Sequence, residues 1–245
     1  MLLKVEQVSF ALGRVSKKGG SLGAYELLRN LSFEVNKGAR VAIVGASGAG
    51  KTTLLRLLNR LAEPSQGWIE FEGKRFQEIP VLKLRQQIVF VAQEPKLFGM
   101  TVREALSYPL QLRNIKNLDR QVNECVERMS IPRDWLDRTE QELSTGEKQW
   151  IAIARGLICQ PVVLLLDEPI ANLDTSRSEL LLSILAQVNC TTLAVTHQFE
   201  WAERFSHRVL QLERGQLVTD SSSVDWQGVK HAIEQIETED AEEWD

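Results

Sequence analysis

The sequence contains few cysteines and no cysteine pair. Only three occur in 245 residues, Cys125, Cys159 and Cys190, and none lies in a CxxC motif. An odd, widely spaced set argues against both a disulfide-stapled scaffold and a thiolate zinc site, because each needs paired cysteines. We therefore predict reduced cysteines in the core of a cytosolic protein.

Long hydrophobic runs are also missing. The first residues, MLLKVEQVSF, are interrupted by Lys4, Glu6 and Gln7, so we do not expect them to form a secretory signal. The longest apolar block, around VVLLL, is far shorter than the ~20 residues that cross a bilayer. Any membrane role is therefore expected to depend on a partner.

An excess of positive charge is absent as well. The net charge is −4 and the isoelectric point is near 5.6, which argues against non-specific binding to nucleic acid. Hydrophobic residues make up 43% and charged residues 25% of the chain, as in ordinary globular proteins. We expect no nucleic-acid partner.

What the sequence does contain is an alternation of short apolar strands and amphipathic helices, which predicts an α/β fold. We expect a mostly parallel sheet as its core and antiparallel strands at the N-terminal end. Helices predicted after Gly50, Asp174 and His197 each follow a strand, as parallel crossovers require. The predicted strands are Lys4–Phe10, Leu31–Val35, Arg40–Val44, Trp68–Phe71, Ile88–Ala92, Val162–Leu166, Thr191–Thr196, Arg208–Glu213 and Gln216–Thr219.

Helical periodicity replaces the strand pattern in the middle of the chain. In LDRQVNECVERM, apolar residues recur on one helical face, at Leu118, Val122, Cys125, Val126 and Met129. We predict a core of residues 1–92 and 156–219 with a helical subdomain inserted at about 93–155. Residues 220–245 are predicted to form a C-terminal helix and an acidic tail.

The strongest local motif is VAIVGASGAGKTTLL, which fits the phosphate loop G-x-x-x-x-G-K-[ST] between a strand and a helix. Glycines let the backbone turn its N–H groups toward an anion. We expect Lys51 to reach the β- and γ-phosphates and Thr52 to coordinate Mg²⁺. The predicted nucleotide-binding residues here are Gly45, Ala46, Ser47, Gly48, Ala49, Gly50, Lys51, Thr52 and Thr53.

A metal carboxylate is predicted in VVLLLDEP. Five apolar residues form a buried strand, and Asp167 and Glu168 follow at its carboxyl end, where open parallel sheets bind ligands. Adjacent carboxylates at such a position destabilise the fold unless a cation or partner offsets their charge. We expect Asp167 to hold Mg²⁺ and Glu168 to polarise the attacking water.

Three further features are weak evidence of a functional site when each is taken alone. In LSTGEKQW, Ser144 or Thr145 can simply cap a helix, with Glu147 in its first turn. His197, after TTLAVT, and Gln93, after IVFVA, are more often structural residues than catalytic ones.

In order along the chain, these motifs resemble those of the ATPase domain of ABC transporters. GASGAGKT resembles its Walker A loop, Gln93 its Q-loop, LSTGE its signature motif, VVLLLDEP its Walker B strand, ANLD its D-loop and His197 its switch histidine. The resemblance covers about residues 2 to 219. Thr145, Glu147 and Trp150 depart from the usual signature, while Ser144 and Gly146 keep its pattern.

The resemblance implies a P-loop NTPase fold of the ABC type and a peripheral ATPase on the cytoplasmic side of a membrane. It implies that Ser144, Gly146 and Glu147 close over ATP bound to a second copy of the chain. Glu168, His197 and Gln93 would be catalytic, and Gln93 would join Thr52 and Asp167 around Mg²⁺.

A separate multipass permease is the other implied partner. Gln93 and the segment Glu94 to Tyr108 would transmit the ATP-dependent change to it, and Phe98 and Met100 are docking residues if they are exposed. The patterns LFGMTVREAL and YPLQLRN are similar to those of ATPases that serve phosphate importers or metal-ion exporters. The alternative is a soluble ABC ATPase in Fe–S assembly, ribosome function or DNA repair.

The family stacks an aromatic ring on adenine shortly after the first strand. This chain has Leu12 there, followed by a predicted long loop, GRVSKKGGSLGAY. We predict that Tyr25, at the end of that loop, stacks on the base, with Phe10 and Leu12 as the alternatives.

Overall fold

The computed structural model describes the backbone of residues 1–16 and 22–242 and the side chains of residues 1–11 and 26–238. Strands alternate with helices along most of the chain. The strands are β1 (Leu3–Ser16), β2 (Leu22–Val35), β3 (Arg40–Val44), β4 (Gln66–Phe71), β5 (Lys74–Arg75), β6 (Ile88–Val91), β7 (Val163–Asp167), β8 (Thr191–Val195), β9 (Arg208–Glu213) and β10 (Gln216–Ser221). The helices are α1 (Lys51–Leu58), α2 (Val81–Gln87), α3 (Val102–Leu112), α4 (Leu118–Arg128), α5 (Thr145–Leu157), α6 (Thr175–Gln187), α7 (Phe199–Phe205) and α8 (Trp226–Glu242).

A six-stranded sheet carries the predicted nucleotide motifs. Its order is β10-β9-β3-β8-β7-β6, with β9, β3, β8, β7 and β6 parallel and β10 antiparallel to β9. Every residue of β7 and β8 is buried, as expected for parallel strands covered on both faces. The carboxyl ends of β3, β7 and β8 therefore meet at one edge of the sheet.

The N-terminal strands form a separate antiparallel sheet in the order β2-β1-β4-β5. The predicted long loop over residues 13–25 is wrong for most of its length, since Arg14 pairs with Ala24 and Ser16 with Leu22. Backbone pairing does not need apolar alternation, so a polar stretch can extend a hairpin that an apolar stretch has begun. Residues 17–21 lie outside the described part.

Helices α3, α4 and α5 lie between β6 and β7 in sequence. The predicted apolar face of α4 is confirmed, because Val122, Cys125 and Val126 are buried. Trp150 of α5 is 1% exposed, and its indole N–H donates to the Met129 carbonyl at 2.9 Å. Packing within the helical region therefore explains why a tryptophan stands at position 150.

The predicted reduced, buried cysteines are confirmed. Cys125, Cys159 and Cys190 are all free and buried, and burial raises the pKa of each thiol, that of Cys125 to about 12. Among the described residues, the helices are all too short or too polar to cross a membrane.

Candidate nucleotide site

A pocket of about 320 Å³ lies at the edge of the sheet where β3, β7 and β8 end. It brings together residues from the phosphate loop, the β7 end and the β8 end, which are far apart in sequence. Its lining residues are Leu27, Ser47, Gly48, Ala49, Gly50, Lys51, Thr52, Thr53, Gln93, Asp167, Glu168, Val195 and His197.

The start of α1 is open toward this pocket. Gly50 precedes the helix with φ of +97°, and no side chain caps the helix N-terminus. A Cβ at Gly50 would lie 2.5 Å from the Leu28 side chain, so both the backbone conformation and the packing require glycine. The uncapped N–H groups and the helix dipole together favour an anion at this position.

Lys51 supplies a positive charge inside the pocket. Its Nζ donates to the carbonyls of Gly45 and Ala46 at 2.7 and 2.8 Å. Burial lowers the pKa of Lys51, and the charge of Glu168 acts in the opposite direction. Gly45 and Ala46 do not line the pocket, but their carbonyl groups hold the Lys51 side chain in place. A phosphate at the loop would give the ammonium group a charged acceptor.

Thr52 and Asp167 meet across the pocket. The Thr52 hydroxyl donates to Asp167 Oδ1 at 3.1 Å, and burial raises the pKa of Asp167. Within the described residues there is no cluster of three or more His, Cys, Asp or Glu suited to a metal. A hydroxyl beside one carboxylate nevertheless suits Mg²⁺, which takes few protein ligands when phosphates complete its oxygen shell.

Glu168 is the most perturbed acid of the pocket. Burial raises its pKa to about 7, and its φ of +47° is unusual for a residue other than glycine. His197 Nε2 lies 3.3 Å from Glu168 Oε1, and the His197 backbone N–H donates to Glu168 Oε2 at 3.4 Å. A carboxylate with a pKa near neutrality is suited to accept a proton from water.

Gln93 and His197 line the same pocket as Glu168. Gln93 is exposed just beyond β6, and His197 follows β8. Burial lowers the pKa of His197, and the positive charge of Lys51 lowers it further. A neutral imidazole at this position can both donate and accept a hydrogen bond.

The LSTGE stretch begins α5 with a capping box. The Ser144 N–H donates to Glu147 Oε2 at 2.7 Å, and the Glu147 N–H donates to Ser144 Oγ at 3.3 Å. Ser144 is therefore the cap rather than Thr145, and its hydroxyl keeps a proton to donate. A Cβ at Gly146 would lie 2.3 Å from the Asn172 carbonyl, so glycine allows α5 to approach the ANLD segment.

Comparison with known proteins identifies this combination of loop, carboxylates and capped helix. A family model described as "ABC transporter" matches residues 28–171. The chain belongs to the ABC transporter family. It carries the ATP-binding domain of that family, an ATPase with the P-loop NTPase fold, which confirms the predicted fold class and enzyme class.

Individual ABC proteins align over most of the chain. A methionine import ATP-binding protein, MetN 3 of Shouchella clausii, is 34% identical over 83% of this chain and 62% of its own length. A probable sulfate/thiosulfate import ATP-binding protein, CysA of Chlorella vulgaris, is 34% identical over 88% of this chain and 92% of its own. This chain thus spans less than two thirds of the methionine protein.

One solved ABC structure provides a comparison at the level of the fold. The cbiO1 protein from Clostridium perfringens, part of the cbiONQ complex, superposes with a TM-score of 0.75 at 26% identity. The match covers 97% of this chain and 92% of that protein. An ABC cassette is therefore the architecture of nearly the whole chain.

Motif reasoning missed three features of the ABC site. Leu27 and Val195 line the pocket, and Glu237 of α8 accepts a hydrogen bond from the Ser47 N–H at 3.4 Å. Apolar residues and a glutamate some 190 positions away carry no local signal. The prediction for Tyr25 concerns a side chain outside the described residues, as does the Leu12 alternative. Phe10 is half-buried against the core.

Proposed function

We propose that the chain hydrolyses ATP as a dimer of two copies that encloses two ATP molecules, and that this drives a solute through a separate multipass permease. The chain would act peripherally, on the cytoplasmic side of the membrane. The observation that carries the proposal is that the residues of the LSTGE stretch lie apart from the phosphate pocket of their own chain. Of the described residues around the phosphate pocket, none belongs to the Ser144, Gly146 and Glu147 set.

Within one chain the pocket provides the groups for phosphate binding and water activation. Lys51 and the N-terminus of α1 would hold the phosphates, and Thr52, Asp167 and Gln93 would hold Mg²⁺. The ion would neutralise charge on the β- and γ-phosphates. Glu168 accepts the proton of the attacking water, and His197 hydrogen-bonds the γ-phosphate region. These roles fit the placement of all six side chains around one pocket.

The capped start of α5 would complete the site of the other copy. Its Ser144 hydroxyl and first backbone N–H groups form a helix N-terminus, which favours an anion such as the γ-phosphate. Ser144 is exposed, so a second chain can reach it. Two equal sites of this kind require an isologous dimer.

Two substitutions at Ser144 separate capping from phosphate binding. Asparagine and aspartate both cap helices well, so each variant should keep α5 folded. Ser144→Asp adds a negative charge beside the phosphate, and we expect it to abolish most ATPase turnover, whereas Ser144→Asn should retain far more. Equal turnover in the two variants, at equal thermal stability, would count against a role for Ser144 at the γ-phosphate.

A groove on the helical side of the chain supports the proposal that the chain binds a membrane partner. It has a volume of about 620 Å³, and it contains four exposed apolar side chains, namely Leu82, Phe98, Tyr108 and Leu112. Exposed apolar residues clustered in a groove mark an interaction surface. Phe98 is exposed, whereas Met100 is half-buried against the core, so contact with the partner through Met100 stays a prediction.

The groove can be tested by substitution at matched exposed positions. Phe98→Asp should prevent a multipass protein from co-purifying with the tagged chain out of detergent-solubilised membranes of its host. Leu61→Asp, at another exposed leucine outside the groove, should leave co-purification unchanged. Recovery of only ribosomal or assembly proteins with the unaltered chain would support the soluble alternative and contradict transport.

The printed names of relatives refer to different solutes, methionine and sulfate/thiosulfate among them. An ATPase subunit does not contact the solute, so its pocket carries no information on it. The proposal therefore extends to a small solute or ion, and the narrower resemblance to phosphate-importer or metal-exporter ATPases stays a prediction.

A further inference from the structure

The C-terminal helix α8 returns to the phosphate loop. Val229 and Ile233 of α8 are buried in a cluster that includes Ala46 of the loop, and Ile236 packs at its edge. The same cluster contains Ala42 and Val44 of β3, the strand that leads into the loop. The apolar face of α8 thus fixes the helix beside the nucleotide site.

This packing places one carboxylate at the loop itself. Glu237 lies four residues after Ile233, so the two share a side of the helix. Glu237 Oε1 accepts a hydrogen bond from the backbone N–H of Ser47 at 3.4 Å. Ser47 lines the phosphate pocket. A backbone donor on the anion-binding loop is therefore in contact with a negative charge from the same chain.

The charge of Glu237 also acts on the catalytic groups. It raises the pKa of Lys51 and that of His197, opposing the effect of burial on each. The field of Glu237 thus extends over the positions at which phosphate oxygens would bind. A bound polyphosphate brings several negative charges into that field, and like charges repel.

We propose that Glu237 is a further residue of the nucleotide site, one that weakens the binding of phosphorylated nucleotides in proportion to their phosphate charge. The proposal rests on the proposed binding of ATP at the phosphate loop. The carboxylate takes up the Ser47 N–H and repels the γ- and β-phosphates, so ATP is penalised more than ADP. Adenosine, without phosphate, is unaffected.

Isothermal titration calorimetry of the full chain with MgATP, MgADP and adenosine tests this role. Glu237→Gln removes the charge and keeps the size, and we expect it to tighten MgATP binding by about three- to tenfold. The affinity for MgADP should increase less, and the affinity for adenosine should not change. The gain should shrink at high salt, where the Debye length falls well below ~10 Å. Glu237→Lys should bind MgATP more tightly still.

Glu234→Gln is the matched control. Glu234 is exposed one turn earlier on α8 and has the same charge, but among the described residues only Glu237 of this pair accepts a hydrogen bond from the phosphate loop. We expect its MgATP affinity to stay close to that of the unaltered chain. Both variants change exposed side chains, and equal melting temperatures would show that neither disturbs the fold.

Two outcomes would overturn the inference. One is an MgATP affinity of Glu237→Gln equal to that of the unaltered chain. The other is an equal gain for adenosine or for Glu234→Gln, which would show that the effect does not come from repulsion of phosphate at Ser47. Failure of the unaltered chain to bind MgATP would instead overturn the proposed function, and this inference with it.

Discussion

Replacing Glu168 with glutamine should stabilise the fold while it abolishes most catalysis. Glu168 is 8% exposed at the end of a fully buried strand, and its Oε1 has no hydrogen-bond partner among the described residues. His197 Nε2 lies 3.3 Å from that oxygen without forming a hydrogen bond to it. Ionised Glu168 is therefore poorly compensated before nucleotide binds, and a neutral amide of the same size removes the penalty.

The magnitude follows from the pKa of Glu168. Burial raises it from an ordinary 4.5 to about 7, which corresponds to about 3 kcal/mol. Because the folded-state pKa is the higher one, this contribution to stability is complete below pH 4.5 and is lost as the pH rises through 7. At pH ~8 Glu168→Gln should raise the melting temperature by about 6–12 °C, and at pH ~5 it should change little.

The assay is thermal unfolding without nucleotide at both pH values, together with steady-state ATPase turnover. Turnover should fall by about 10²–10⁴ if Glu168 is the general base. Glu179→Gln is the control, since a hydrogen-bonded ion pair with Arg204 lowers the pKa of Glu179 below its ordinary 4.5. Removing that exposed pair should destabilise the fold slightly at both pH values, since both lie above the ordinary pKa. A Glu168→Gln variant with wild-type stability at the higher pH, or with full turnover, would refute the reasoning.

Three further predictions concern packing and reactivity. Trp150→Ala should lower the free energy of unfolding by about 3–5 kcal/mol in a denaturant titration, and a loss no larger than that of Trp150→Phe would contradict a core role. Because the pKa of the Cys125 thiol is raised to about 12, Ellman's reagent should label the native chain far more slowly than the unfolded chain; equal rates would show that the thiol is accessible. Gly146→Ala would place a Cβ 2.3 Å from the Asn172 carbonyl, so ATPase turnover should fall even where the melting temperature changes little. Unchanged turnover would show that the close approach of α5 to Asn172 is dispensable.

The parallel sheet and its phosphate loop were predictable because their signals are local. A short apolar run followed by Gly45 to Thr52 determines both a strand and the helix after it. The strand ending at Asp167 is equally clear, since every residue in it is buried and all but Asp167 are apolar. Seven of the nine predicted strands have both ends within two residues of the observed ones.

The features that were missed depend on tertiary contacts. The β1–β2 hairpin continues through a polar stretch because its backbone is paired, which residue types alone do not indicate. Leu82 of α2 and Leu112 of α3 line the groove with Phe98 only once the chain has folded, because the three residues are far apart in sequence. Glu237 meets Ser47 because Val229 and Ile233 fix the path of α8, and a glutamate in an acidic tail gives no sign of that contact.

The central claim is that two copies of the chain enclose ATP, and the solution mass of the Glu168→Gln variant tests it most directly. We expect this variant to bind ATP without rapid turnover, so the enclosed state should accumulate. Light scattering behind size-exclusion chromatography should give one chain with MgADP and two chains with MgATP, and Ser144→Asp in the same background should restore the single-chain mass. A single-chain mass with saturating MgATP, or a two-chain mass regardless of nucleotide, would contradict the account.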